Sequence, residues 1–486
     1  MVLALRRDFV KVSDIKIASN VATLLPIALA RRYRVVPLVK EETRLQVGIA
    51  ESAQPDSIDI VRFHTGLTIF PVIMAEDKLS ELIENYSKLA GGPHLELDLL
   101  KELPLEEEVF NVKEQSAYYE EPLIKFVDNI IRHALQKSAS DIHIEPFENA
   151  CRIRYRQDGI LYPIAEIPAH FAARVVTRLK VMARLDIAER RLPQDGRFQL
   201  EHDHTYSIDI RINICPTLHG EKAVLRILDG RKALLDIDAL GFTVSQKNIF
   251  IDKITRPQGM VLVTGPTGSG KTVTLYSALR YLNTSDKNIS TIENPVEIHM
   301  HGINQVNINP KIGLHFAAAL RAFLRQDSDI MMVGEIRDLE TAEIAIQAAQ
   351  TGHLILSSLH TNSAIETFTR LQTMGIETYH LIHSISLIIA QRLARKLCQY
   401  CKLPDALGFK AYGCEQCLGG YQGRTGIYEF LPLTENIASL FLAGASKQNI
   451  IEATHRDAFL TLQAAGLEKV KAGITSLTEI NRIIKQ

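Results

Sequence analysis

Apolar positions along the chain keep two different rhythms, and each predicts a different kind of element. In the first ninety residues, Arg34-Val-Val-Pro-Leu-Val-Lys and Arg44-Leu-Gln-Val-Gly-Ile-Ala read as two short strands and residues 75–89 as a helix, together a small α/β unit. From Pro122 onward, Leu123, Val127, Ile130, Ile131, Ala134 and Leu135 keep helical spacing. Beyond Ser138-Ala-Ser-Asp141 the period changes to two, in Ile142-His-Ile-Glu and Cys151-Arg-Ile-Arg-Tyr-Arg, and again at 206–213 and 222–228. With a helix from about His170 to Leu185, this second stretch has an α+β pattern. Four unbroken apolar runs follow: Met260-Val-Leu-Val-Thr, Ile289-Ser-Thr-Ile, Ile330-Met-Met-Val and Leu354-Ile-Leu-Ser-Ser-Leu. Such runs suit strands buried on both faces, and their alternation with helical stretches predicts a doubly wound α/β sheet. The chain after about Thr361 reads as largely helical.

Charge refines this division. The 486 residues carry 55 Lys+Arg against 56 Asp+Glu, a net charge of −1. That balance argues against a protein built to coat nucleic acid, which needs a basic excess to neutralise phosphates. Locally the balance breaks down. Arg6, Arg7, Lys11, Lys16, Arg31, Arg32 and Arg34 make the N-terminus basic, either as a solvated face or as a docking surface, whereas 91–121 is acidic and opens with Gly91-Gly92-Pro93, as a solvated linker would. The N-terminus lacks a signal-peptide apolar region, and no run of about 18 apolar residues occurs, so a cytoplasmic protein without a membrane span is expected.

Chemistry concentrates in the doubly wound region. Gly265-Pro266-Thr267-Gly268-Ser269-Gly270-Lys271-Thr272 follows a predicted strand and opens a helix, the setting in which glycines turn backbone N–H groups around phosphates. Lys271 would reach the β- and γ-phosphates of ATP, and the Thr272 hydroxyl would bind Mg²⁺. Glu335 ends the apolar run 330–333 beside the metal, and Glu293 and Glu297 follow another strand. All three acids face the phosphate crevice, as groups at the C-terminal ends of parallel strands do. Arg321 and Arg325, four apart on a helix over 316–326, and Arg211 and Arg226 on strands of the preceding domain are candidates to meet phosphoryl charge, with solvated faces the alternative for each. His353 and His360 bracket the strand 354–359, with satisfied core or surface histidines the default reading and γ-phosphate sensing by His360 the alternative.

Cys398-x2-Cys401-x12-Cys414-x2-Cys417 predicts a closed four-thiolate Zn²⁺ site, favoured over redox disulfides or free thiols, while Cys151 and Cys215, alone on strands, read as buried and inert.

The phosphate loop, Thr291-Ile-Glu-Asn-Pro-Val-Glu297, Leu324-Arg-Gln-Asp-Ser-Asp-Ile-Met-Met-Val-Gly-Glu-Ile-Arg-Asp338 and Thr351-Gly-His-Leu-Ile-Leu-Ser-Ser-Leu-His-Thr-Asn362 resemble the secretion ATPases of type II secretion and type IV pilus assembly. Ser138-Ala-Ser-Asp-Ile-His-Ile-Glu-Pro146 and Arg191-Leu-Pro-Gln-Asp-Gly-Arg197 resemble the domain that precedes the motor in that family. The resemblance covers about 123–428. It implies an N-terminal platform-docking domain (1–90), an acidic linker (91–121), a PAS-like α+β domain (122–235), a RecA-like P-loop ATPase domain (236–390), a zinc module (391–425) and a helical C-terminal subdomain (426–486). It further implies a homohexamer that is peripheral on the inner membrane and drives the cytoplasmic part of a platform protein, with membrane association indirect. Family roles would put Glu335 at Walker B, Glu297 or Glu293 on the attacking water, His353 and His360 in a His box, and Arg211, Arg226, Arg321 and Arg325 on nucleotide or subunit interfaces.

Two features depart from the family pattern: Asn294 stands where Asp is usual, and the gap between cysteine pairs is short. The N-terminal motif of cyclic-dinucleotide-binding relatives is not evident, since Leu5-Arg6-Arg7 matches it poorly. The four-cysteine module argues against a retraction motor. Type II secretion is therefore expected ahead of pilus assembly. A RecA-like nucleic-acid translocase and a nucleotide-switched scaffold remain as rivals.

Overall fold

The apolar residues collect into four cores in the computed structural model, which describes residues 17, 21, 24–25, 27–41, 44–50, 57–89, 116–202, 206–228, 235–414, 416–456 and 459–484. The first core joins α1 (Ile27–Arg32), β1 (Val35–Glu41), β2 (Arg44–Ala50), α2 (Ser57–Thr65), β3 (Thr68–Met74) and α3 (Glu76–Leu89). Its sheet runs β1-β2-β3, antiparallel and then parallel, and buried Tyr86 ties α3 to the N-terminal turn by donating to the Leu25 carbonyl at 2.6 Å. Two expectations, the basic residues Arg6 to Lys16 and the acidic segment at 91–115, lie outside the described residues.

The second core lies between two helices and one face of an antiparallel sheet. Its helix α4 (Ser116–Gln136) begins six residues before Pro122, so the expected linker ends earlier than 121. Proline suits a first helical turn and thus marked a start that the chain has already passed. The sheet follows the order β6-β5-β4-β9-β8-β7, built from β4 (Asp141–Pro146), β5 (Ala150–Gln157), β6 (Ile160–Pro168), β7 (Gln194–His202), β8 (Tyr206–Thr217) and β9 (Gly220–Leu228), with α5 (Ala172–Met182) between β6 and β7. Alternation decides which side is covered. Ile142, Ile144, Ile153, Ile210 and Ile212 pack with Phe126, Ile130, Val175 and Leu179, while Asp141, Glu145, Arg154, Arg156, Arg211 and Arg226 occupy the opposite face.

The third and fourth cores sandwich a seven-stranded sheet, as buried-strand runs require. In chain order its elements are α6 (Val244–Ile254), β10 (Gly259–Thr264), α7 (Lys271–Leu282), β11 (Ile289–Glu293), β12 (Asn304–Asn307), α8 (Phe316–Phe323), β13 (Ile330–Val333), α9 (Leu339–Gln350), β14 (Leu354–Leu359), α10 (Ala364–Thr373), α11 (Thr378–Ser384), β15 (Ile385–Leu397), the short pair β16 (Leu403–Asp405) and β17 (Gly408–Lys410), and β18 (Tyr421–Pro432). Helices α12 (Glu435–Leu442), α13 (Lys447–Arg456), α14 (Leu462–Lys471) and α15 (Leu477–Ile484) complete it. The strand order is β12-β11-β13-β14-β10-β15-β18, parallel except for β18.

This corrects the reading of the C-terminal third. The region after Thr361 is not largely helical: β15 and β18 are long strands of the central sheet, and a boundary at 390 would cut β15 in two. Nor does the cysteine module follow the sheet; it is inserted between two of its strands. Ile385-Ser-Leu-Ile-Ile-Ala is a short apolar run whose period fits helix and strand alike, so only its pairing with β10 and β18 decides. Among the described residues, no helix is long and apolar enough to cross a membrane.

Candidate active site

The phosphate loop leaves the C-terminal end of β10 at the middle of the parallel sheet. Gly265, Gly268 and Gly270 take φ of 150°, 79° and 89°, a region that side chains rarely adopt. A Cβ on Gly265 would stand 2.5 Å from the Gln391 carbonyl oxygen, so that glycine is also required for packing. Gly268 has open space around it, and the buried Ser269 hydroxyl has no partner among the described residues. An open cradle of this shape at the N-terminus of α7, with a polar atom awaiting a partner, fits a polyphosphate. Pro266 and Thr267 complete the turn. Lys271 donates to the Gly265 and Pro266 carbonyls at 2.8 and 3.2 Å, and Thr272 lies beside it in the first turn. Burial, aided by Arg392, pulls the Lys271 pKa down to about 8 against an opposing pull from Glu335.

That value sets a pH response. The anion-free lysine loses its proton above about pH 8, while a bound triphosphate needs the cation. Affinity for ATP is therefore expected to be flat up to pH 8 and to fall by up to about tenfold per unit above it. Titration of fluorescent ATP between pH 7 and 9.5 checks this, with Lys271→Arg losing the break.

Three acids face the loop differently. Glu335, just past β13, is largely buried and pairs with Arg337 at 2.6 Å and with His360 Nε2 at 3.4 Å. Burial and the charge of Lys271 hold His360 below the usual histidine range. Glu293 ends β11 and is buried; its carboxylate accepts from the Thr291, Tyr276 and Gln305 side chains, and burial raises its pKa. The Tyr276 hydroxyl in turn accepts from the Glu297 and Ile298 backbone N–H groups at 3.3 and 3.4 Å, so Glu293 anchors the loop through Tyr276. Glu297 itself is exposed on that loop, after the cis Asn294–Pro295 bond.

The structure separates the expected arginines. Arg211 crosses from the middle domain and donates to the Val296 carbonyl at 3.0 Å, next to Glu297 and within its own chain. Arg226 pairs with Asp141 at 2.9 Å on the polar sheet face. Arg321 pairs with Glu340 at 2.7 Å, and α8 stops at Phe323, so Arg325 lies beyond the helix rather than on a shared face with Arg321. His353 precedes β14 at the end opposite the phosphate loop, where its carbonyl accepts from Gly259, so the structure does not bring it to His360. Gln391 and Arg392 of β15 were missed: Gln391 accepts from Thr274 of α7 at 2.8 Å, and Arg392 reaches Asn362. The signal, polar residues within a buried apolar run, was masked by reading that run as helix.

The four cysteines converge at the far end of the β15–β18 hairpin. Their sulfur atoms lie within 4.8 Å of one another, with pairs at 3.6 and 3.8 Å. Those separations exclude disulfides and match the roughly 3.8 Å edge of a tetrahedron with Zn–S bonds of about 2.3 Å. Backbone N–H groups of Gly413 and Cys414 donate to the Cys401 and Cys417 sulfurs, each at 3.3 Å, as thiolates require. The donor set fits zinc. The pair β16–β17 fills the short gap between the two knuckles. Of the two remaining cysteines, Cys151 is buried as expected, whereas Cys215 is exposed because it lies on the face of β8 opposite Ile212 and Ile214.

Known proteins share these features. Residues 116–482 match the family of type II/IV secretion system proteins. The chain belongs to that family. Residues 5–93 match the MshEN domain. The type IV pilus assembly ATPase PilB of Acinetobacter baylyi is 46% identical over 94% of this chain and 83% of its own length. Type II secretion system protein E of Aeromonas hydrophila is 39% identical over 95% of this chain and 96% of its own. The pilus retraction motor PilT with bound ADP superposes with a TM-score of 0.54 at 27% identity, over 73% of this chain and 96% of that one.

Proposed function

We propose that the chain is a Mg²⁺-ATP-driven motor of a pilus-type assembly machine, working as a homohexamer against the cytoplasmic part of an inner-membrane platform protein. What supports it is that Lys271, Glu335 and His360 gather at the C-terminal ends of the central strands, with Thr272 in the first turn of α7 and Arg211 reaching from a second domain to the loop that carries Glu297. Lys271 and Thr272 would hold phosphate and Mg²⁺, Glu335 would sit beside the metal, and Glu297 would orient the attacking water. Movement of the middle domain would then be felt at the nucleotide through the Arg211–Val296 contact. The metal supplies charge neutralisation on the phosphates. The N-terminal domain is the platform-docking element in this reading.

What supports pilus assembly over the expected type II secretion is identity: PilB relatives reach 46–47% over 94% of this chain, against 39% over 95% and 43% over 80% for two type II secretion relatives. Type II secretion remains the second reading because protein E matches this chain's length more closely, at 96% coverage against 83–85%. ATP turnover by the purified chain, lost at least a hundredfold in Lys271→Ala, tests the motor; equal rates would overturn it. Capture of the platform's cytoplasmic domain from pilus or secretion machinery, using the full chain, separates the two readings.

A further inference from the structure

Arg392 sits on β15 where the strand passes the phosphate loop, and its side chain is buried, only 7% exposed as a residue. Among the described residues its guanidinium donates to neutral oxygens alone: Nη1 to the Gln391 carbonyl at 3.0 Å, and Nη2 to the Asn362 carbonyl and side-chain oxygen at 3.1 and 3.2 Å. The two carboxylates that feel its charge are engaged elsewhere. Glu429 accepts from the Ala364 and Leu462 N–H groups at 2.8 and 3.2 Å, and Glu366 pairs with Lys447 at 3.1 Å. The nearby cation Lys271 is repelled by Arg392. Two like charges in one half-desolvated space are costly unless an anion joins them.

The contacts also show what Arg392 connects. Strand β10 lies between β14 and β15, and the phosphate loop emerges from it. On one side, the Gln391 carbonyl crowds Gly265. On the other, Asn362 closes the turn His360-Thr361-Asn362 that follows β14, in which Thr361 bonds to the Thr264 hydroxyl and His360 meets Glu335. One planar fork thus ties backbone on both sides of the loop, a task that a point charge on a flexible stem cannot reproduce.

We propose that Arg392 is a positioning residue that fixes the 360–362 turn against the phosphate loop, so that this turn distinguishes a nucleoside triphosphate from a diphosphate. The proposal rests on the reading of the site as an ATP motor. Arg392 acts through His360 and Asn362, and its loss leaves the loop's own diphosphate contacts in place. The diphosphate should therefore bind nearly as before while the terminal phosphate loses its reader.

The test compares wild type with Arg392→Lys, Arg392→Gln and Asn362→Ala in the full chain, using fluorescent ATP and ADP for affinity and steady-state turnover for kcat and KM. The expected result is an ATP-to-ADP affinity ratio lowered about tenfold in both Arg392 variants. ADP affinity should stay within twofold, kcat should fall by ten- to a hundredfold, and Lys should fail to rescue. Asn362→Ala should give a smaller shift in the same direction. An unchanged ratio in Arg392→Lys, or equal losses for ATP and ADP, overturns the proposal. If Arg392→Gln fails to fold by circular dichroism, Arg392→Lys and Asn362→Ala decide. Absence of turnover in wild type would instead count against the motor reading.

Discussion

Glu297→Gln is expected to lower ATP turnover by about 10²–10⁴-fold, the range for removing a positioned acid–base group, with ATP binding retained. Glu293→Gln should cost less in turnover but more in folding. The two acids differ by environment. Glu293 is buried, and its oxygens already accept from Thr291, Tyr276 and Gln305, which leaves it less open to water than Glu297. Glu297 is exposed four residues on, its backbone pinned by the Tyr276 hydroxyl in the loop that Arg211 touches, so its carboxylate is open to solvent. Tyr276→Phe should fall between them, near tenfold, because it leaves Glu293 short of a donor and frees the Glu297 backbone. Single-turnover hydrolysis with equilibrium ATP binding checks all three. A Glu293→Gln defect larger than that of Glu297→Gln, with normal folding, would reverse the roles.

The second large effect concerns the metal knuckle. Elemental analysis should find one Zn²⁺ per chain. Stripping it, or replacing Cys398 with Ser, is expected to lower the melting temperature by about 10 °C, since structural zinc binding is worth several kcal/mol and each kcal/mol moves Tm by roughly 2–4 °C in domains of this size. Cys398 follows directly on β15 and its N–H donates to the Gly420 carbonyl, so freeing the thiolates frays the β15–β18 pairing itself. Proteolysis should then cut first between 399 and 416. A Tm shift below about 1 °C after chelation would show that the four sulfurs hold no stabilising ion.

Much of this site was legible from residue order. The phosphate loop announces itself because only glycine tolerates its backbone, and Glu335 because an acid closing a fully apolar strand has few other reasons to be there. The cysteine spacing was equally direct. What stayed hidden depends on pairing across sequence distance. The local mark of Gln391 and Arg392, polar residues following an apolar run, says little by itself, since their roles come from β15 lying against β10 and the run before them has no distinctive period. The bracketing of the strand 354–359 by His353 and His360 was legible too, and it is what keeps His353 at the end of the sheet opposite His360. Arg325 does not share a helix face with Arg321 for a simpler reason, the helix ending two residues short of it.

The late position of β15 has a consequence for how the protein is born. Gly265 and the Gln391 carbonyl that packs against it are separated by α7 through α11 in the chain, so a ribosome adding about 5–20 residues per second makes the phosphate loop well before its wall exists. Until residues beyond 392 have emerged and paired with β10, a nascent chain holds the loop without Gln391 or Arg392. Partly synthesised copies therefore carry the phosphate-binding sequence but lack the turn-fixing fork, and would be silent bystanders rather than idling consumers of ATP.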